Sequence, residues 1–210
     1  MKYLGKPAGM WALFAGSFEK HLTVEFDLTA GQAKDVAARA KKKYREIIAK
    51  LPEFDKRDRF EMNIVNCAML AAFILCMPQR PDIKTLTDYY AAAMMTPTMK
   101  AFCRASGKKK FTPKDIEGMK ATAKLRAGER NPYSWNMDFF EYEDGSGYEA
   151  RFTTCGICTL MQVLGLYDLT PALCHLDYTM SDAGGASDFV REYTLASGGP
   201  YCDCGYHKKQ

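Results

Sequence analysis

Histidine is scarce in this chain, with 3 in 210 residues, and none has the close spacing from which a catalytic zinc site is built. Excess charge is also small: 29 Lys+Arg against 25 Asp+Glu leave a formal net charge of +4. That falls well short of the dense positive field of a dedicated nucleic-acid binder, so no nucleic-acid partner is expected. Long apolar runs are missing. The longest, Ile64 to Met77, is interrupted by Asn66 and stops at Pro78; it is too short for a bilayer and suits a buried helix, so no membrane partner is expected. A short apolar patch, Met10 to Ala15, follows Lys2, Lys6, Pro7 and Gly9 and soon gives way to charge. It does not read as a signal peptide, and the expected location is cytoplasmic. Internal repeats are lacking. Eight cysteines are too few for a disulfide scaffold, yet five of them, Cys155, Cys158, Cys174, Cys202 and Cys204, lie beyond residue 150. Such clustering suits reduced thiols serving chemistry or metal binding.

What is present is an ordinary globular composition, with 47% hydrophobic and 26% charged residues. A single domain over 1–210 is expected, made of a helical part, 1–128, and a Cys-rich α+β part, 133–205. Between Thr29 and Leu51 the apolar residues Ala33, Val36, Ala37, Ala40, Tyr44, Ile47, Ile48 and Leu51 repeat at helical spacing. Lys41, Lys42 and Lys43 lie off that stripe and read as a solvated face. A second helix is predicted from Asp58 to Cys76, apolar nearly all round and therefore buried, with Cys67 and Cys76 as core. A third runs from Ile83 to Ser106 with a break at Pro97. Thr112-Pro113 supplies the N-cap and first residue of a fourth, closed by Gly128 and Pro132. Lys108, Lys109 and Lys110 fall in the connecting loop and read as solvated.

The period changes near Ser134. Trp135, Met137 and Phe139 alternate with polar residues, Asp144-Gly145-Ser146-Gly147 forms a turn, and Tyr148, Ala150 and Phe152 alternate again. This predicts a β-hairpin over 134–143 and 148–154. Helices are expected from Gly156 to Leu164 and from Thr170 to Ser181, then a third strand over Val190 to Ala196, then a Cys-rich tail. The fold class is α+β, a helical N-terminal part packed on a small antiparallel sheet with helices in the C-terminal part.

Three groupings can carry chemistry. Cys155-Gly156-Ile157-Cys158 leaves a strand and enters a helix, where unpaired N–H groups and the positive dipole end lower a thiol's pKa. Cys155 is thus a candidate nucleophile, although the spacing also suits thiol exchange or half a zinc site. Cys174 and Asp177, three apart on a helix, share one face, so that the carboxyl group could move the thiol's proton. His175 points away from that face. Cys202, Asp203 and Cys204, with His207 behind them, could bind a metal together with Cys155 and Cys158. Arg191 suits a carboxylate, and Thr194 follows on the same expected strand, on its opposite face if the strand is regular.

The string Cys155-Gly156-Ile157-Cys158, Gly165-Leu166-Tyr167-Asp168-Leu169, Cys174-His175-Leu176-Asp177-Tyr178 and Arg191-Glu192-Tyr193-Thr194-Leu195-Ala196-Ser197-Gly198-Gly199, ahead of Cys202-Asp203, resembles the L-2-amino-thiazoline-4-carboxylic acid hydrolase family over about residues 133 to 205. The resemblance implies a hydrolase that opens a cyclic amidine at a carbon–nitrogen bond to give a carbamoyl-cysteine. By that reading Cys155 or Cys174 attacks the ring carbon and Asp177 or Asp203 carries the proton, with Cys202 in the same catalytic set. Arg191, with Thr194, binds a small substrate through its carboxylate. No cofactor and no metal are expected. A thinner likeness, Cys-x-Leu-Asp with a distant further Cys, is to the thiol–thiol–carboxylate set of organomercurial lyases. A non-enzymatic metal or small-ligand sensor using the same cysteines is the third reading.

Overall fold

The first third of the chain folds as α1 (Pro7–Glu25), α2 (Ala30–Lys50) and α3 (Glu61–Cys76). Thr29 and Gln32 form a reciprocal capping box that starts α2, and the predicted apolar stripe is its buried face. In α3 every residue from Cys67 to Phe73 is fully buried, as its all-round apolarity requires. Met10, Phe14, Phe18 and Leu22 of α1, four apart, cover one side of it. The Phe18 ring meets Phe73 at 5.1 Å between centroids and Tyr89 edge-on at 5.6 Å. A computed structural model describes residues 6–209; Lys2 and the first positions of the expected helical part lie outside the described residues.

Two helices follow, α4 (Ile83–Met94) and α5 (Pro97–Gly107), each started by a side chain that accepts a backbone N–H, Asp82 and Thr96. Thr112 does the same for α6 (Pro113–Arg126). The expected break at Pro97 and the Thr112-Pro113 start are both observed. Lys110 departs from expectation. Its ammonium is not simply solvated but stands over the Tyr206 ring, 3.2 Å from the centroid, and burial lowers its pKa to about 8.

The second part holds a four-stranded antiparallel sheet, β1 (Asp138–Glu141), β2 (Gly147–Phe152), β3 (Ser187–Val190) and β4 (Cys202–Lys208), in the order β1-β2-β4-β3. Between β2 and β3 lie α7 (Gly156–Val163), α8 (Thr170–Cys174) and α9 (Leu176–Gly184). The protein is therefore α+β. Registers Tyr148↔Tyr206, Ala150↔Cys204 and Phe152↔Cys202 put Cys202, Cys204 and Tyr206 on the inner face and Asp203, Gly205 and His207 on the other. The inner face packs on Met119 and Ala123 of α6 and Tyr178 of α9. α5 and α9 cross where Gly107 meets Gly184, and a Cβ on Gly107 would stand 2.3 Å from the Gly184 carbonyl oxygen.

Four expectations about the second part need correction. The third strand is Ser187–Val190, not Val190 to Ala196; Arg191 lies just past its end, and Thr194 caps a short 3-10 turn, Leu195–Ser197. The strand expected over Val190 to Ala196 fails because Arg191 turns back toward α8 and α9 and has no strand partner. The supposed tail is the strand β4, paired on both sides. The helix from Thr170 is two pieces, α8 and α9, that meet at His175. The hairpin strands also differ from expectation: β1 is shorter at both ends, and β2 starts one residue earlier and ends two residues sooner. No helix among the described residues is long and apolar enough to cross a membrane.

Candidate active site

The segment that leads into the site is held by buried charge. Arg126, at the end of α6, is 2.8 Å from Asp58 Oδ2 and 2.7 Å from Glu129, and Ser134 donates to the same Asp58 oxygen. Asp58 and Arg126 are each 3% exposed. Two residues on, Asn136 Oδ1 accepts the backbone N–H groups of Thr153 and Thr154, each at 2.9 Å. The chain entering β1 is thus stitched to the chain leaving β2, with Trp135 and Cys155 side by side.

Cys155 is the extended N-cap of α7. The Cys158 thiol, the backbone N–H groups of Cys158 and Ile157 and the Trp135 indole surround its sulfur, although no side-chain capping hydrogen bond closes at this N-cap. The Cys158 thiol has the largest influence, and together these donor groups outweigh burial, so Cys155 lies below the ordinary thiol range. Cys158 is driven upward by its neighbour Cys155 and by burial, so of the pair Cys158 keeps its proton. Gly156 allows this start: a Cβ there would lie 2.1 Å from the Tyr133 carbonyl oxygen.

Cys174 ends α8, and Cys202 begins β4. Burial raises both thiols, and each feels the charge of Cys155, of Arg191 and of Asp177. Leu195 donates its backbone N–H to Cys202 Sγ at 3.2 Å. Tyr167 also feels the charge of Cys155, Cys158, Cys174 and Cys202, and its hydroxyl ties down the 3-10 turn through the Leu195 carbonyl at 2.9 Å. Four thiols from α7, α8 and β4 therefore share one neighbourhood. Burial and then the Asp177 charge push Cys204 up to about 12.

Arg191 knits the polar side of this group. One guanidinium nitrogen donates to the Cys174 carbonyl oxygen at 2.9 Å, and the other to Asp177 and to Cys204 Sγ. Burial opposes its charge, but Asp177 and Cys204 more than offset the penalty and hold its pKa above the ordinary arginine value. The Arg191 side chain is 6% exposed and that of Asp177 45%, so the carboxylate is open while its partner is enclosed. The Arg191 Nε–H is buried and has no partner in the structure. A small cavity of about 230 Å³ is lined by Cys174, His175, Arg191, Glu192, Thr194 and Ser197. It lies below the roughly 300 to 1,000 Å³ of pockets for drug-sized ligands and suits a small molecule.

Among the sequence-derived candidates, Cys155, Cys174, Asp177, Cys202 and Arg191 lie near enough to feel one another's charge; Cys174, Arg191 and Thr194 line the cavity, and Cys155, Asp177 and Cys202 are not among its lining residues. Asp203 does not join them. It sits on the outer face of β4, where its two oxygens accept the backbone N–H groups of Glu192 and Tyr193 at 2.9 and 2.6 Å. His175 is exposed, as expected. His207 lies away from the thiols, stacked on Tyr142, with Nδ1 3.2 Å from Ser146 Oγ. Cys202, Cys204 and His207 thus do not face one point. Among the described residues no group of three or more His, Cys, Asp or Glu is arranged to hold a metal ion.

Sequence reasoning overlooked three neighbours. Cys158 was visible in the C-x-x-C spacing but was given no place in the site. Trp135 carried no local signal, because its indole reaches Cys155 only through the Asn136 stitching. Tyr167 stood in a quoted motif with no role attached.

No curated protein and no solved structure matches the chain. The family model described as L-2-amino-thiazoline-4-carboxylic acid hydrolase matches residues 62–206. The matched stretch takes in all but the first residue of α3, all but the last two residues of the sheet and every thiol of the site, and over more than half of its length the chain belongs to the L-2-amino-thiazoline-4-carboxylic acid hydrolase family.

Proposed function

We propose that this protein hydrolyses a cyclic amidine carrying a carboxylate, of the 2-amino-thiazoline-4-carboxylate type, with Cys155 as the nucleophile. The observation that carries the choice of Cys155 over Cys174 is the ring of donors around its sulfur, which favours the thiolate where burial keeps Cys174 protonated. In the proposed reaction the thiolate adds to the ring carbon that bears sulfur and two nitrogens. The ring nitrogen takes a proton and leaves, which opens the carbon–nitrogen bond. Water then adds to the same carbon and expels Cys155, leaving the carbamoyl group on the substrate sulfur. Asp177, open and held by Arg191, is the proton carrier for the departing nitrogen and the incoming water. Arg191 also borders the cavity, and its unpartnered Nε–H suits the substrate carboxylate, with Thr194 at the rim. No resident cofactor or metal enters this scheme.

The test is turnover of the cyclic amidine by purified protein, with Cys155→Ser and Cys174→Ser compared. Loss on the order of 10³-fold or more in Cys155→Ser is expected. Full activity in that variant, or dependence on added zinc after chelation, would overturn the scheme. A second reading draws on a different feature: one guanidinium holds the Asp177 carboxylate and the Cys204 sulfur and also binds the backbone carbonyl of Cys174, whose own thiol would supply the second sulfur of a thiol–thiol–carboxylate set able to cleave a carbon–mercury bond. Protonolysis of an organomercurial without amidine turnover would favour it.

A further inference from the structure

Cys158 takes no step in the proposed hydrolysis, yet it is the nearest partner of the group that does. Cys155 is the N-cap of α7, and Cys158 is the third residue of that helix, the position whose backbone N–H points at an N-cap side chain. The two thiols are neighbours in that first turn, each close enough to shift the other's titration, and both side chains are partly exposed. Helical neighbours three apart have Cβ atoms about 5 to 6 Å apart, and a disulfide needs roughly 3.5 to 4.5 Å. Closure therefore asks for a small tightening of one turn at an end whose N-cap is already extended. Cys174 and Cys202, the other thiols nearby, sit on separate elements, α8 and β4. Cys67, Cys76 and Cys103 are buried.

We propose that Cys155 and Cys158 form a redox modification site, a dithiol that low-molecular-weight disulfides of the glutathione type convert reversibly to an intramolecular disulfide. Cys155 attacks one sulfur of oxidised glutathione, breaks its S–S bond and releases one glutathione thiolate, which takes up a proton. Cys158 then loses its proton to solvent, attacks the Cys155 sulfur and expels the second glutathione. From its dithiol form the protein gives up two protons and two electrons in all, and oxidised glutathione, taking up two protons and two electrons, becomes two molecules of reduced glutathione. The second step is assisted by the first: once Cys155 is no longer anionic, its negative charge no longer holds the proton on Cys158. Formation of the bond does not depend on the hydrolase reading. Its consequence for turnover does, because it removes the proposed nucleophile.

The experiment treats the full chain with excess oxidised glutathione, digests it with trypsin and chymotrypsin so that Cys174 falls on a different peptide, and assigns the products by mass spectrometry. The expected product is a peptide bearing Cys155 and Cys158 that is two hydrogens lighter, carries no glutathione and returns to the dithiol with dithiothreitol. The Cys158→Ser variant should stop at the first step and retain one glutathione on Cys155. Stable glutathione on wild-type Cys155, a bond from either cysteine to Cys174 or Cys202, or no loss of thiols would overturn the proposal. Amidine turnover, measured in parallel, should be lost and regained with the disulfide. A disulfide that forms without any turnover at the start would sink the hydrolase reading alone.

Discussion

Arg191 holds Asp177 by a hydrogen bond between two groups fourteen residues apart, and the same guanidinium binds the Cys174 carbonyl, three residues before Asp177. A single side chain from the end of β3 thereby sets the orientation of the α8–α9 junction at His175. This explains how a helix broken at that point still presents a thiol and a carboxylate together.

Replacing Asp177 by Asn separates proton transfer from architecture. The amide keeps an oxygen for Arg191 but cannot carry the proton, so kcat is expected to fall by about 10² to 10⁴ while the fold persists. Steady-state kinetics with a melting curve for the same variant measure both. Unchanged kcat would remove Asp177 from the mechanism.

The pH dependence of alkylation distinguishes the thiols. Cys155 lies below the ordinary thiol range and Cys174 and Cys202 above it. Iodoacetamide at neutral pH should therefore label Cys155 first, with its rate rising to a plateau below pH 9, while Cys174 and Cys202 gain reactivity only above it. Peptide mapping against pH tests the order; early labelling of Cys174 would make it the activated thiol.

Alkaline stability follows from Cys204. Burial, with the charge of Asp177, pushes its folded pKa up to about 12, above the ordinary thiol value of 9.0. The unfolded chain gives up this proton first, so the group does not penalise folding below pH 9, and stability falls as pH rises from about 9 to 12. Cys204→Ala should flatten that fall in denaturant titrations at a series of pH values. An unaltered slope would show that Cys204 is not the responsible group.

The Asp58–Arg126 pair is a stability determinant remote from the thiols. Asp58→Ala leaves Arg126 buried with Glu129 as its remaining anion and removes the acceptor of Ser134. A loss of about 3 to 5 kcal/mol is expected, because an uncompensated buried charge remains. Urea unfolding would measure it, and a loss under about 1 kcal/mol would mean that Glu129 compensates in full.

Gly156→Ala probes the start of α7. Its Cβ would meet the Tyr133 carbonyl oxygen at 2.1 Å and Ile64 Cδ1 at 2.9 Å, so either the helix start or the 131–135 segment must move. Alkylation of Cys155 should slow at neutral pH, since its donors belong to that first turn. A normal labelling rate would show that the donors do not depend on this close approach.

The amino-acid sequence by itself determined the elements whose cause is local. The apolar stripe from Ala33 to Leu51 made α2, the all-round apolarity of Ile64 to Cys76 made α3, Thr112-Pro113 started α6, and the alternation after Ser134 made the hairpin. The C-x-x-C spacing marked a thiol at a helix start, because capping acts within one turn. Tertiary structure decided the rest. β4 is short of strand signals, with Gly205 and two cysteines among its seven residues, and is a strand because β2 and β3 supply ladders on both sides. Asp203 and Cys204 exchanged importance once the register was set: period two turned the first outward, to the Glu192–Tyr193 turn, and the second inward, to Arg191. Arg191 itself read as a strand residue and became the hub of the polar cluster. Its partners are three side-chain and backbone groups distant in sequence, and hydrogen bonds of that range leave no periodic trace in the chain.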